Sequence, residues 1–268
     1  MALKGKRKIV CLPAATAPMA AALDTQCDLL LVGDSLAMTI YGLESTAEVT
    51  VDIMIRHGKA VISRAKTALV IVDLSAGSYD KRPAQARYSA QKIIAETGAD
   101  GVKLEGGQSM RKQVASLTAA GIPVMGHIGL LPQQVASPKL FAVVGRTEES
   151  IAQLHLDKEA LVDVGAFAIV CEGMVEPVAR SIALSCPVPT IGIGVSCACD
   201  GQILVSEDML GLFDDFKPKF VHQFSNLSFI ITATAAAYRQ AVSDGTFPAE
   251  IICARTEIRC IKSRYSRR

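Results

Sequence analysis

Five short apolar runs in this sequence end on, or carry near their end, a side chain able to hold a cation or move a proton. Residues 29–32 lead through Gly33 to Asp34, and residues 68–72 lead to Asp73. Residues 101–105 end on Glu105, residues 123–128 carry His127, and residues 166–171 lead to Glu172. An aliphatic run that stops abruptly on glycine and an acid is how a fully buried parallel strand reads where it leaves the core. Any one such acid is weak evidence, because strand-end carboxylates also cap the next helix. Five ends of the same kind say more than one.

Asp34, Asp73 and Glu105 gathered at one place would repel each other, and buried like charges either take up protons or bind a cation. All three are hard oxygen donors with no Cys or His among them, which suits Mg2+ and, less exclusively, Mn2+. Lys103 lies two residues from Glu105, so the two share one side of a strand. There a lysine binds a substrate carboxylate, forms a Schiff base, or only balances charge. Ser35 follows Asp34 and either donates to a bound ligand or caps a helix. Glu172, on a separate run, is a candidate general base. His127 orients a ligand, shuttles a proton, or is a hydrogen-bonded structural residue. His57 falls inside a helical pattern, where a structural role is the default.

The elements that must position these residues alternate. Strands are predicted at 8–12, 29–32, 68–72, 101–105, 123–128, 166–171, 190–194 and, more weakly, 219–224. Helical patterns separate them, at about 19–23, 50–61, 83–97, 109–120, 148–164 and 176–184, with a last helix at 229–242. Pro83 opens one of these helices and Gly98 closes it. Asp200-Gly201 reads as a turn. Alternating strands and helices imply a parallel sheet. Eight strands in 268 residues, with no linker and no composition shift, favour one closed (β/α)8 barrel over an open doubly wound sheet. In such a barrel every strand's C-terminal end meets at one mouth, whereas an open sheet would spread the polar ends along an edge. Residues 1–250 are expected to form the barrel domain and residues 251–268 a basic tail. The segment 131–146, with Pro132 and Pro138 and no period, is long enough to be a functional loop.

Composition narrows the function classes. A net charge of +2 points to neither a nucleic-acid partner nor a charged membrane surface. The start is basic and then apolar, like a secretory leader, but Pro13 and Pro18 break the run. No apolar run reaches membrane-spanning length free of charge and proline. Cys11 and Cys171 sit inside apolar runs, and Cys197-Ala198-Cys199 lacks a second ligand pair, so neither a disulfide framework nor zinc is expected. A reduced, cytoplasmic protein is the expectation. Gly192-Ile193-Gly194 has no third glycine at dinucleotide spacing, and no Walker, G-x-S-x-G or H-E-x-x-H pattern occurs.

Several blocks together are specific: Val32-Gly33-Asp34-Ser35-Leu36, Glu44-Ser45-Thr46, Val102-Lys103-Leu104-Glu105-Gly106-Gly107, Gly126-His127-Ile128-Gly129-Leu130, Ile191-Gly192-Ile193-Gly194, Asp200-Gly201-Gln202-Ile203-Leu204-Val205 and Pro218-Lys219-Phe220. In this order, over about residues 8–250, they resemble the ketopantoate hydroxymethyltransferases of the phosphoenolpyruvate/pyruvate barrel superfamily. The resemblance implies transfer of a hydroxymethyl group from 5,10-methylenetetrahydrofolate to 3-methyl-2-oxobutanoate, giving ketopantoate for pantothenate biosynthesis through a Mg2+-stabilised enolate. It implies one Mg2+ per subunit at Asp34, Asp73 and Glu105, and oxo-acid contacts from Asp34, Ser35, Asp73, Lys103 and His127. It also implies Glu172 as proton acceptor and a homo-oligomer, commonly a decamer. Small-molecule partners are expected, with no nucleic acid and no membrane.

The chain also departs from the family pattern. Pro13-Ala14-Ala15 stands where Thr-Ala-Tyr is usual, and Ser75-Ala76 replaces Pro-Phe. Leu131 replaces a Thr, Lys139-Leu140 replaces a glycine pair in the loop, and Val144 replaces a Gln. Losing two glycines removes backbone freedom that a closing loop uses. A basic, Cys-bearing tail replaces a His-containing ending. Two alternatives therefore stand beside the main reading: another Mg2+-dependent lyase or aldolase on a 2-oxo acid, and an attenuated paralogue that binds ligand without useful turnover. The Lys-Lys-Cys-Gly-His loop of isocitrate lyases is absent, which disfavours the first.

Overall fold

The computed structural model describes residues 3–135, 137, 140–213 and 220–249. Among them, eight strands close in sequence order into a barrel, and every pairing is parallel. They are β1 (Ile9–Pro13), β2 (Leu29–Val32), β3 (Leu69–Asp73), β4 (Gly101–Glu105), β5 (Val124–Gly129), β6 (Ala168–Glu172), β7 (Thr190–Ile193) and β8 (Gly201–Ile203). The helices between them are α1 (Ala17–Leu23), α2 (Leu36–Thr39), α3 (Val51–Ile62), α4 (Pro83–Thr97), α5 (Arg111–Ala119), α6 (Glu148–Asp163) and α7 (Glu176–Ser185); α8 (Ser206–Leu210) and α9 (Leu227–Ser243) follow β8.

Helix starts follow ordinary capping chemistry. Thr50 accepts from the Ile53 N–H at α3, and Thr147 accepts from the Ser150 N–H at α6, satisfying donors that the first turn leaves unpaired. Pro83 occupies the first turn of α4, and Gly98 ends that helix in the left-handed conformation at φ 76°.

Strand alternation builds two cores. Leu30, Val32, Val70, Val72, Val102 and Leu104 point outward against the helices. Cys11, Leu29, Leu31, Ile71, Met125, Ala168, Val170, Ile191 and Ile203 point inward and fill the barrel. Burying an aliphatic side chain of this size contributes about 1.5–3 kcal/mol, so this inner layer is a packed floor rather than a pore. Two residues further along the same inward face the residue type changes: Ile71 is followed by Asp73, Met125 by His127 and Val170 by Glu172.

The eighth strand is not where the sequence places it. It is Gly201–Ile203, which pairs with both β7 and β1 and closes the barrel. The expected turn at Asp200-Gly201 is therefore the strand's beginning. A Cβ at Gly201 would lie 2.5 Å from the Ile9 carbonyl oxygen and 2.7 Å from Ile191 Cδ1, so glycine is what lets three strands approach here. Asp200 accepts from the Thr190 N–H at 2.8 Å and its carbonyl accepts from the Ile9 N–H at 2.9 Å, which ties it to both neighbouring strands. The described part of the expected strand, from Phe220 onward, is irregular. Phe220 instead packs across Gly194 at the end of β7, where a Cβ would sit 2.5 Å from its ring.

Helix α9 buries none of its residues, and Phe229, Ile230, Ile231 and Tyr238 on it are exposed. The basic tail at 251–268 and Lys139 of the altered loop lie outside the described residues.

Candidate active site

The C-terminal ends of the strands bring all seven sequence-derived site residues to one cavity of about 750 Å³. Asp34, Ser35, Asp73, Lys103, Glu105, His127 and Glu172 line its inner end. Register sets this arrangement. Asp73 stands beside Lys103 across β3 and β4, Glu105 beside His127 across β4 and β5, and Glu172 beside Gly129 across β5 and β6.

Lys103 Nζ donates to Asp73 Oδ1 at 2.7 Å, and both side chains are almost wholly buried. The other Asp73 oxygen accepts from the Asp34 backbone N–H at 3.1 Å. Burial raises the Asp34 carboxyl to about 7, with the Asp73 charge adding to the rise and Lys103 opposing it. Burial raises Asp73 as well, against the attraction of Lys103. For Lys103 burial works the other way, but Asp73, Asp34 and Glu105 together hold its ammonium above the usual lysine range. It is a charged group here, not a free amine ready for Schiff-base chemistry.

His127 lies between two acids. Its Nδ1 is 3.5 Å from Glu105 Oε1 and its Nε2 is 3.3 Å from Glu172 Oε2. Neither nitrogen makes a hydrogen bond of good geometry, so charge rather than a directed bond relates the ring to the two carboxylates. Burial lowers the imidazole pKa, but the two glutamates outweigh it and bring it up to about 9. The same ring draws Glu105 down, against its burial. Ser35 stands at the N-cap position of α2 yet makes no capping hydrogen bond, which leaves its hydroxyl for the cavity. His57 is structural, donating from Nδ1 to the Ala15 carbonyl and accepting from Tyr41 OH at Nε2.

Away from these charged groups the cavity is mainly apolar, with Met38, Phe141, Val205, Phe213 and Phe220 on its wall. Asp208, on α8, shares that wall, and burial raises its carboxyl. The loop is anchored beside Glu172: the Val144 N–H donates to the Gly173 carbonyl at 2.8 Å, and the Val175 N–H donates back to the Val144 carbonyl at 3.1 Å.

Sequence reasoning missed Gln133 and Tyr79. The Gln133 amide donates to Asp34 Oδ2 at 2.7 Å and to the Leu74 carbonyl at 2.9 Å. Tyr79 OH donates to Gln133 Oε1 at 2.6 Å. Neither residue ends an apolar run, so the pattern that exposed the acids does not reach them.

A closed parallel barrel with acids at its C-terminal mouth belongs to a recognisable structural class. The chain superposes on a phosphoenolpyruvate phosphomutase from Streptomyces platensis with TM-score 0.60, at 12% identity, over 89% of this chain and 84% of that one. It superposes on a 2,3-dimethylmalate lyase of the PEP mutase/isocitrate lyase superfamily with TM-score 0.55, at 18% identity, over 89% and 84%. The shared feature is the fold, a closed parallel (β/α)8 barrel.

Sequence similarity is narrower. The ketopantoate hydroxymethyltransferase family model matches residues 1–250. A 3-methyl-2-oxobutanoate hydroxymethyltransferase of Rhizobium rhizogenes is 53% identical over 92% of this chain and 90% of its own length. One from Brucella suis is 51% identical over 92% and 90%. The chain belongs to the ketopantoate hydroxymethyltransferase family and is a transferase.

Proposed function

We propose that this protein transfers a hydroxymethyl group from 5,10-methylenetetrahydrofolate to 3-methyl-2-oxobutanoate, with water supplying the hydroxyl oxygen and tetrahydrofolate leaving. The product, 2-dehydropantoate, is the ketopantoate of pantothenate biosynthesis. The observation that carries the reading is the charged layer at the inner end of the cavity. There, among the described residues lining the cavity, the carboxyl groups of Asp34, Asp73, Glu105 and Glu172 are set against two cationic side chains, Lys103 and His127.

This donor set fits a divalent cation. Burial, with the neighbouring Asp73 charge adding to it, holds Asp34 at about 7, and a cation at the site would relieve both. Among the described residues no three His, Cys, Asp or Glu side chains are already gathered around one point that could hold a metal ion, so water or substrate oxygens would have to complete its shell. Mg2+ is the ion that ordinarily keeps water or substrate oxygens in its shell. Asp34, Asp73 and Glu105 would hold it, and when bound it supplies Lewis-acid polarisation of the substrate ketone.

The chain's own residues do the rest. Lys103, charged and fixed on Asp73, attracts the oxo-acid carboxylate, and the Ser35 hydroxyl donates to it. Glu172 takes the C3 proton. His127, protonated between Glu105 and Glu172, holds the base beside the acidic layer. The C3 carbanion then attacks the one-carbon unit. Over the whole reaction the methylene carbon loses both of its C–N bonds to the folate and gains one C–C bond to C3 and one C–O bond to water, while the C3 proton and one water proton end on the two nitrogens of the departing tetrahydrofolate. The apolar outer wall suits a flat heteroaromatic ring, and Asp208 suits the donor edge of a 2-amino-4-oxopyrimidine, because a carboxylate accepts two parallel N–H groups.

Purified protein with Mg2+, 3-methyl-2-oxobutanoate and 5,10-methylenetetrahydrofolate is expected to form 2-dehydropantoate. In the same assay Asp208→Asn raises the folate KM about tenfold, the cost of about one charge-assisted hydrogen bond, and leaves C3 proton exchange on the oxo acid unchanged. No product, with exchange retained, would point to a different 2-oxo-acid enzyme. Ligand binding with neither activity would point to the attenuated paralogue.

A second copy of this chain is the partner that the bare apolar surface of α9 best fits, since oligomers bury such surfaces. A monomer in sedimentation velocity would remove that reading. Among the described residues no helix is long and apolar enough to cross a membrane. The described cysteines are free thiols, which supports a reducing, cytoplasmic setting; finding the protein in an oxidising compartment would overturn it.

A further inference from the structure

Gln133 sits in a short turn, Pro132–Gln134, just after β5. Its contacts reach the ends of three other segments. Through Nε2 it donates to Asp34 Oδ2 beyond β2 and to the Leu74 carbonyl beyond β3. Through its backbone N–H it donates to Glu105 Oε2, at the end of β4, at 3.0 Å. The amide cannot be turned over without loss: the Leu74 carbonyl only accepts, so the NH2 must face it, and Oε1 then receives the Tyr79 hydroxyl. Tyr79 is itself buried and locked onto β4, with its hydroxyl 3.2 Å from the Glu105 N–H and 3.3 Å from the Glu105 carbonyl.

A carboxylate has about four lone-pair sites and a broad terminal torsion. One donor placed on one oxygen therefore selects a rotation and leaves the other oxygen to face whatever lies opposite. Gln133 places such a donor on Asp34 and on Glu105, two acids that come from different strands and repel each other. Without it, each carboxylate could turn towards Lys103 or His127 and away from a shared centre.

We propose that Gln133 is the positioning residue of the acidic layer, holding Asp34 and Glu105 in the rotations that let both face one divalent cation, with Tyr79 fixing its amide. The proposal rests on the divalent-cation reading given above and adds a residue to it. Gln133 touches no reacting atom. Its effect passes through the two acids, in the way outer partners of metal ligands typically alter affinity by about 10–100-fold.

The test uses the full chain and Mn2+ alone, read by electron paramagnetic resonance, with Mg2+ titrated by calorimetry. Gln133→Met keeps the length of the side chain, removes its side-chain donations to Asp34 and to the Leu74 carbonyl, and leaves the backbone donation to Glu105 in place. It is expected to weaken Mn2+ binding at least tenfold while the thermal midpoint of the metal-free protein moves by only a few degrees. Its oxo-acid KM rises, and the rate of C3 proton exchange recovers at saturating Mg2+, a split that a general loss of packing would not produce. Tyr79→Phe is expected to weaken Mn2+ about threefold, and the double variant to lose less than the product of the two single losses. Mn2+ affinity within twofold of wild type in Gln133→Met overturns the proposal. If that variant does not fold, unchanged affinity in Tyr79→Phe overturns it. A wild-type protein that binds no Mn2+ or Mg2+ overturns the cation reading itself, and the proposal with it.

Discussion

Glu172→Gln is expected to lower exchange of the C3 proton of 3-methyl-2-oxobutanoate by about 10²–10⁴-fold, the usual contribution of a positioned general base. The substitution keeps the side chain's size and its place at the end of β6, and removes the group able to take a proton. Mg2+ and oxo-acid affinities should stay within a few-fold, because the proposed cation-holding acids and Lys103 stand just beyond β2 and on β3 and β4. His127 is the other group in reach, and the two glutamates beside it favour its protonated form over the free base. Its Nδ1 and Nε2 lie 3.5 Å and 3.3 Å from the two carboxylates, which raise its pKa to about 9 and so favour a ring that donates a proton rather than takes one. Deuterium wash-in at C3, followed by NMR, checks the assignment. Exchange within tenfold of wild type would remove Glu172 as the base.

Lys103→Met has two expected effects that come from one ion pair. Lys103 and Asp73 are 6% and 2% exposed and 2.7 Å apart. Removing one partner of such a buried pair leaves the other uncompensated and costs about 3–5 kcal/mol. At about 2–4 °C per kcal/mol for chains approaching this size, the metal-free thermal midpoint falls by about 10 °C. The oxo acid loses a charge-assisted contact, and its affinity falls about 10–100-fold. Saturating Mg2+ restores part of the lost midpoint, because a cation at the three acids takes over charge balance. Calorimetric scans with and without Mg2+, together with an oxo-acid titration, separate the two effects. An unchanged midpoint and an unchanged affinity would mean that Lys103 does neither job.

The legible part of this molecule is the part governed by alternation along a strand. Ile71 before Asp73 and Val170 before Glu172 repeat a step of two on the inward face, and that step can be counted in the sequence. β8 has too few residues to show any period, and its Gly201 and Asp200 carry the local chemistry of a turn. Only pairing with Ile9 and Thr190 makes that segment a strand, and pairing is a tertiary fact. Residues 219–224 show the reverse error. Phe220 is apolar because it covers Gly194, not because it lies in a sheet. Gln133 and Tyr79 were hidden for a related reason. A polar residue in a loop is unremarked until the fold brings it to an acid far away in the chain. The helix at 227–243 was legible from its pattern, but its bare apolar face was not, since a period says which face is apolar and not what covers it.

The change from hydrocarbon to charge within a single inward step has an electrostatic consequence. Beneath Asp73, His127 and Glu172 lies the aliphatic filling of the barrel, a region of low polarisability that cannot screen them. Water reaches the acids only from the cavity side. Field lines from the surplus negative charge are therefore turned away from the floor and crowded out through the mouth. The barrel filling acts as an insulating backplate, and the potential that draws a cation inward is concentrated along the same narrow axis by which it must enter.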